Sequence, residues 1–234
     1  MANNNEQHAL NVGEHINGSQ AFFDKYKKVI LIAVAAIIIV VLGIMAYQTY
    51  IVAPREDKAS TALGKGQEYF NMEQFDKALN GDGAGYTGFT KIASDYSGTD
   101  AANLANLYAG LCYANMGKWN EAVKYLDEFS AEDDQMVSPA AIAALGDAYA
   151  NTNQVDKAIE AFKKAADKAD SKAANGTNNS LSPTFRLKAG ILLESQNKKE
   201  DALAIYNDIK KKYVNSSLVQ SSEIDKYIER ASIK

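Results

Sequence analysis

The chain has 234 residues, 47% of them apolar, enough for one or two domains with a sizeable core. A net charge of −4 lacks the basic footprint of a nucleic-acid binder, and a single cysteine, Cys112, excludes an intrachain disulfide or a thiolate metal cluster. Charge is polarised along the sequence: residues 54–147 carry 7 basic and 15 acidic side chains, whereas residues 148–234 carry 15 and 11.

Residues 1–20 are rich in asparagine and show no apolar periodicity, which predicts a disordered tail. His8 and His15, the two histidines of the chain, both lie there, and an unstructured tail gives them no metal-binding geometry. Residues 21–53 read as a transmembrane anchor with its interfacial flank. Val29 to Ala53 contains no charged residue. As a helix it would rise roughly 37 Å, against a hydrocarbon core of about 30 Å. Phe22, Phe23, Tyr26, Lys27 and Lys28 on one side, and Tyr47 and Tyr50 on the other, are the aromatic and snorkelling residues of a membrane boundary. Lys25, Lys27 and Lys28 before the span are matched by Arg55, Lys58 and Lys65 after it, so the charge count is even. The Lys27 and Lys28 pair abuts the span and favours a cytoplasmic N-terminus, which places the rest of the chain across the membrane.

Pro54 ends the span and permits a new helix from about Arg55. Residues 54–234 then repeat. Aligning Gly66, Gly110, Gly146 and Gly190 places Tyr69, Tyr113, Tyr149 and Leu193 three residues later. Phe75, Trp119, Val155 and Lys199 follow at nine, and Ala78, Ala122, Ala158 and Ala202 at twelve. Leu126, Phe162 and Tyr206 stand four beyond the last three alanines. Each unit reads as two antiparallel helices, with glycine and alanine facing each other where the pair lies closest. Ser138-Pro139 and Ser182-Pro183 predict helix starts with a serine N-cap and proline in the first helical position. Gly117 and Asn153 predict the turns between helices. Ile224, Tyr227, Ile228 and Ala231 form an apolar stripe, a capping helix for the end of the stack.

These residues resemble the tetratricopeptide repeat family, through Ala109-Gly110, Tyr113, Gly117, Trp119, Ala122 and Leu126 in one unit. Leu145-Gly146, Tyr149, Val155, Ala158, Phe162 and Ala165 carry it in the next. The fourth unit departs from the pattern at Leu193 and Lys199, and the first is the most divergent. There a Gly-rich stretch, residues 80–88, interrupts the second helix before Phe89, Ile92 and Tyr96 resume it. The resemblance spans about residues 59–214 and implies an all-α solenoid of about four helix pairs plus the cap.

Two motifs mislead. Gly83-Ala84-Gly85-Tyr86-Thr87-Gly88 satisfies G-x-G-x-x-G, but its surroundings are helical and no strand precedes it, so it reads as a flexible insert. Glu132-Asp133-Asp134 lacks the ligand spacing of a calcium loop and reads as a solvated inter-repeat turn. Residues 172–181 form a second surface loop. Residues 54–234 contain no histidine, so hydrolytic triads and zinc sites have no donors; no catalytic residue, cofactor or small-molecule substrate is expected.

The family resemblance implies that the first helix of each unit lines a concave face. Helical spacing around the packing glycines assigns it Leu63, Gln67, Phe70 and Asn71; Leu104, Leu107, Leu111 and Asn115; Ala140, Ala143, Asp147 and Asn151; and Leu187, Ile191 and Glu194. None is basic, which disfavours acidic C-terminal tails as ligands and favours an apolar or amphipathic segment. The same leucines equally suit packing between repeats. Cys112 reads as a small core residue.

An N-terminal anchor followed by a repeat domain of this size also resembles the YfgM-type family of bacterial inner-membrane proteins. The stretches REDKASTALGKGQEYF and IDKYIERA are similar to Bacteroidetes members. That resemblance implies a periplasmic repeat domain with translocon subunits or secreted chains as protein partners, in a chaperone-like role ancillary to the Sec translocon. A structural scaffold of another cell-envelope complex is the alternative.

Overall fold

In the computed structural model the backbone of residues 3–233 and the side chains of residues 25–233 are described. The chain divides into two units, residues 1–54 and 55–234.

The first unit is helix α1, Asn3–Tyr47, followed by a π-helical turn, Gln48–Val52. The tail expected to be disordered is helical from Asn3. The chain has no proline before Pro54, so nothing stops a helix from propagating back from the apolar run. The side chains of His8, His15, Phe22 and Phe23 lie outside the described residues. From Val29 to Ile51 the large apolar side chains other than the half-buried Ile30 are exposed, and this is the one helix among the described residues long and apolar enough to cross a membrane. In the π turn the Ala53 N–H donates to the Gln48 carbonyl, five residues back. The widened turn lies immediately before Pro54, which has no N–H to give and crowds the carbonyl one turn earlier.

The second unit is all-helical among the described residues. It contains α2 (Ala53–Asn71), α3 (Phe75–Asn80), α4 (Phe89–Asp95), α5 (Asp100–Asn115) and α6 (Trp119–Asp127). After these come α7 (Val137–Asn151), α8 (Val155–Lys172), α9 (Ser182–Ser195), α10 (Lys199–Lys212), α11 (Ser217–Gln220) and α12 (Glu223–Ser232). Pairs α5/α6, α7/α8 and α9/α10 stack in order, α3 and α4 together replace the second helix of the first unit, and α12 packs on α10.

The packing glycines explain the pairing. A Cβ on Gly110 would stand 2.5 Å from Leu126 Cγ, and one on Gly146 would stand 2.9 Å from Phe162 Cε1. One on Gly190 would overlap the Tyr206 ring. Their partners Ala78, Ala122, Ala158 and Ala202 are completely buried. In the first unit the residue sixteen after Gly66 is Asp82, and the chain loops out until Tyr86 and Phe89 reach the glycine instead. Around Gly64, on the same helix as Gly66, an added Cβ would meet nothing within 4 Å. Gly64→Ala is therefore expected to raise stability by about 0.5–1 kcal/mol in urea titrations, because it removes backbone freedom from the unfolded chain without a clash.

All four turns within the pairs share one geometry. Glu73, Gly117, Asn153 and Asn197, each seven residues after its glycine, have φ between 58° and 71°. The next N–H donates back to Tyr69, Tyr113, Tyr149 or Leu193 at 2.8–2.9 Å, the hydrogen bond that closes a helix through a left-handed residue. Glycine and asparagine tolerate this conformation. Glu73 adopts it against its preference, and neither Glu73 nor Asn197 stood out in the sequence.

The helix starts differ from expectation. Ser138 and Ser182 lie inside α7 and α9 rather than capping them, and Pro139 and Pro183 are the third and second residues of those helices. The side chains that organise the two starts stand four residues before each serine. Asp134 Oδ1 accepts from the N–H groups of Met136 (2.8 Å) and Val137 (2.6 Å). Before α9, Asn178 Oδ1 instead closes the turn that leads into the helix, accepting from the N–H groups of Ser180 (3.1 Å) and Leu181 (2.9 Å). Each serine hydroxyl, fully buried, instead meets a carboxylate: Ser138 with Asp134 at 2.5 Å and Ser182 with Asp170 at 2.6 Å. Thr99 does cap α5, accepting from the Ala102 N–H at 3.1 Å. Glu56 of α2 supplements it by accepting from the N–H groups of Asp100 (2.8 Å) and Ala101 (3.0 Å).

The Gly-rich insert, expected to be flexible, is closed by its own hydrogen bonds. Asp82 Oδ1 accepts from the Ala84 and Tyr86 N–H groups at 2.8 and 2.9 Å. Its Oδ2 accepts from Tyr69 Oη and pairs with Lys65 Nζ, each at 2.8 Å. Lys65, the loop N–H groups and the Tyr69 hydroxyl hold this carboxyl well below the usual carboxylate range. Helix α3 precedes the loop, so its G-x-G-x-x-G lacks the strand a dinucleotide site needs.

Candidate partner-binding groove

The first helices α2, α5, α7 and α9 carry the positions that helical spacing assigned to the concave face. Leu63, Leu107, Ala143 and Leu187 are buried between repeats. Leu104, Leu111, Gln67 and Phe70 are half-buried. Gln67 Nε2 donates to Tyr108 Oη at 3.0 Å, and Phe70 meets the edges of Phe75 and Tyr108 at ring distances of 5.7 and 5.2 Å. Asn71, Asn115, Asn151, Ala140 and Ile191 are exposed. Asn115 and Asn151 donate to carbonyls one turn back on their own helices, at 2.8 and 2.9 Å.

The acidic positions are neutralised internally. Lys188 of α9 bonds both oxygens of Asp147 on α7 at 2.7 Å. Glu194 accepts from Tyr206 Oη at 2.6 Å and pairs with Arg230 of the capping helix, and that guanidinium holds it below its ordinary range. The cap thus ties an expected groove carboxylate to the end of the stack. Ile224 and Ala231 are buried beneath it, as the apolar stripe predicts.

Where α5 and α7 adjoin, part of the predicted set is brought together. Leu107, Leu111 and Ala140 join Met136, Val137 and Ala141 around a cavity of about 290 Å³ open to solvent. Met136 is 68% exposed and Val137 48%, two large apolar side chains that nothing in the fold covers. Spacing from the packing glycine missed both, because it was carried back only as far as Ala140, and they stand at the N-cap and first position of α7. The signal was their position, an apolar pair ending the polar run from Glu132 to Gln135. Positions from α2 and α9 do not reach this cavity.

The Glu132-Asp133-Asp134 turn has structural work: Asp134 caps α7, and Asp133 pairs with Lys168 and Lys172 of α8. Cys112 is fully buried, and burial pushes its thiol up to about 12, which suppresses the reactive thiolate.

Residues 139–167 match one description of the tetratricopeptide repeat, and residues 104–134 and 186–216 match another. These segments are the three regular units; the divergent first unit lies outside them. A search of curated proteins finds no match. Among solved structures, the chain is similar to a crystal structure described as nearly identical TPR-like repeats of a Podosopora anserina kinesin light chain. The TM-score is 0.52 at 11% identity, over 75% of this chain and 93% of that one. At that identity the likeness concerns the fold alone. Three matched repeats and a shared architecture make residues 55–234 a tetratricopeptide repeat solenoid.

Proposed function

We propose that the chain is a single-span membrane protein whose repeat domain binds partner proteins and catalyses no reaction. The partner presents an apolar or amphipathic segment to the α5/α7 cavity. The observation that carries this reading is the uncovered wall of Met136 and Val137 facing Leu107 and Leu111 within a repeat fold suited to protein recognition. Exposed apolar side chains throughout residues 29–51 support the membrane span, because water is a poor solvent for such a helix. The resemblance to YfgM-type proteins supports the further reading that the domain lies on the periplasmic side of a bacterial inner membrane, beside the Sec translocon. Anchoring there raises its effective concentration for emerging chains.

Photo-crosslinking amino acids at Leu111 and Met136 in the full chain are expected to capture translocon subunits or secreted chains, while one at exposed Glu160 on α8 captures neither. Capture of one stoichiometric envelope partner at all three positions would instead favour a structural scaffold. Protease added to intact spheroplasts is expected to digest residues 55–234. Protection of the domain would reverse the topology.

A further inference from the structure

The apolar cavity has a charged neighbour. One turn earlier on α5, and four residues earlier on the segment leading to Met136, a polar cleft of about 290 Å³ is lined by Asp100, Asn103, Asn106, Glu128, Ser130 and Glu132. Its walls are held in place: Asn103 donates to the Ser130 carbonyl and accepts from the Ser130 N–H, both at 2.8 Å. Asp100, Glu128 and Glu132 are exposed, and their carboxylates have no ion pair among the described residues. Elsewhere along the first helices the fold supplies the cation itself, Lys188 for Asp147 and Arg230 for Glu194. Here it supplies none, in the half of the domain that carries 15 acidic against 7 basic residues.

Building on the groove reading above, we infer that the occupant is a protein segment with an apolar stretch preceded or followed by lysine or arginine. Its apolar side chains enter between Leu107, Leu111, Met136 and Val137, and its basic end lies against Glu128 and Glu132. Apolar burial supplies most of the affinity. The carboxylates select among apolar segments by the charge at their ends and speed encounter with cationic ones. An acidic flank is rejected by like charge, which gives the site discrimination that an apolar cavity alone lacks.

The test uses the full chain in nanodiscs of zwitterionic lipid and two synthetic peptides with the same leucine- and alanine-rich core, one ending in a pair of lysines and the other in a pair of glutamates. Binding is read by fluorescence anisotropy over empty discs. The lysine peptide is expected to bind about fivefold more tightly at low salt, and the difference collapses near 0.5 M salt. Glu128→Gln with Glu132→Gln removes the preference while leaving a core affinity that Leu111→Asp abolishes. Equal binding of the two peptides, still abolished by Leu111→Asp, overturns the charge inference and leaves the groove standing. Binding of either peptide that is unaffected by Leu111→Asp overturns the groove as well.

Discussion

Asp170→Ala is expected to lower the stability of the C-terminal repeats by about 3–5 kcal/mol, the scale for removing one partner from a buried charged network. Asp170 is only 6% exposed, and its carboxylate joins three other segments to α8. Oδ1 accepts from Ser182 Oγ at 2.6 Å and from the Asn178 N–H at 2.8 Å. Oδ2 accepts from Tyr213 Oη at 2.6 Å and Lys212 Nζ at 2.7 Å. Tyr213 in turn accepts from Arg186 Nε at 2.7 Å. The carboxylate thus ties the end of α8, the loop beyond it, α9 and the end of α10 into one knot. Alanine would leave the fully buried Tyr213 hydroxyl without its acceptor, while the Ser182 hydroxyl falls back on the Ala166 carbonyl at 2.9 Å. Lys212 is less affected, because it is 35% exposed and can turn to water.

The same knot sets an acid limit. Burial pushes the Asp170 carboxyl up, but the hydrogen bonds from Lys212, Ser182, Tyr213 and the Asn178 N–H outweigh it, and the net shift is downward. A carboxylate with a lowered folded value binds fewer protons than in the unfolded chain. Its contribution is therefore fully present above the unfolded value near 3.8 and lost as pH falls through the folded value. Stability from this source is flat from pH 7 to about 5 and falls below about 4. Because a repeat array unfolds in neighbouring blocks, Asp170→Ala should separate two signals in urea. Far-UV circular dichroism would fall early as α8 to α12 melt. Fluorescence of Trp119, the single tryptophan, at the start of α6, would change later. Coincident transitions at the wild-type midpoint would refute this account.

Gly190→Ala and Gly110→Ala are each expected to cost about 2 kcal/mol, against about 1 kcal/mol or less for Gly146→Ala. Alanine recovers up to about 1 kcal/mol of helix propensity at any of these sites, so the sign rests on the clash. At Gly110 the added methyl meets Leu126 Cγ at 2.5 Å and the Leu126 backbone nitrogen at 3.1 Å, and neither can move without shifting α6. At Gly190 it runs into the Tyr206 ring, which is completely buried and fixed through its hydroxyl to Glu194. At Gly146 the nearest atom is on the Phe162 ring edge at 2.9 Å, which a small tilt relieves. The order of the three in urea midpoints is the check; a Gly146→Ala loss equal to that of Gly110→Ala would contradict the packing argument.

Much of this architecture was legible because a repeat writes the same constraint several times. A glycine followed at twelve by alanine and at sixteen by a large side chain means that two helices touch, whatever lies around them. The turn signal stood out at Gly117 and Asn153 but not at Asn197, although asparagine occupies the left-handed position there too. Glu73 holds that position because the repeat geometry imposes it, so propensity alone could not point there. The serines before Pro139 and Pro183 looked like caps by residue type; the capping of α7 went instead to Asp134, and Asn178 closes the turn ahead of α9, each four residues earlier.

The groove shows the division most plainly. The family resemblance gave the inward face to the first helix of each unit, and helical spacing then placed Leu107, Leu111 and Leu187 on its stripe. Whether an inward leucine is buried or left open depends on the adjacent repeat, which no local pattern encodes. The neighbouring helices cover Leu187, whereas Leu111 remains half-open beside Met136 and Val137. Lys188 and Arg230 neutralise carboxylates lying 41 and 36 residues away in sequence, while Glu128 and Glu132 receive no such partner among the described residues. By itself the sequence determined the apolar run, the helical repeat and its contact points, because these depend on residue type at short range. The tertiary structure decided which apolar faces stay open and which charges stay unpaired, because both depend on what a distant segment brings to the same place.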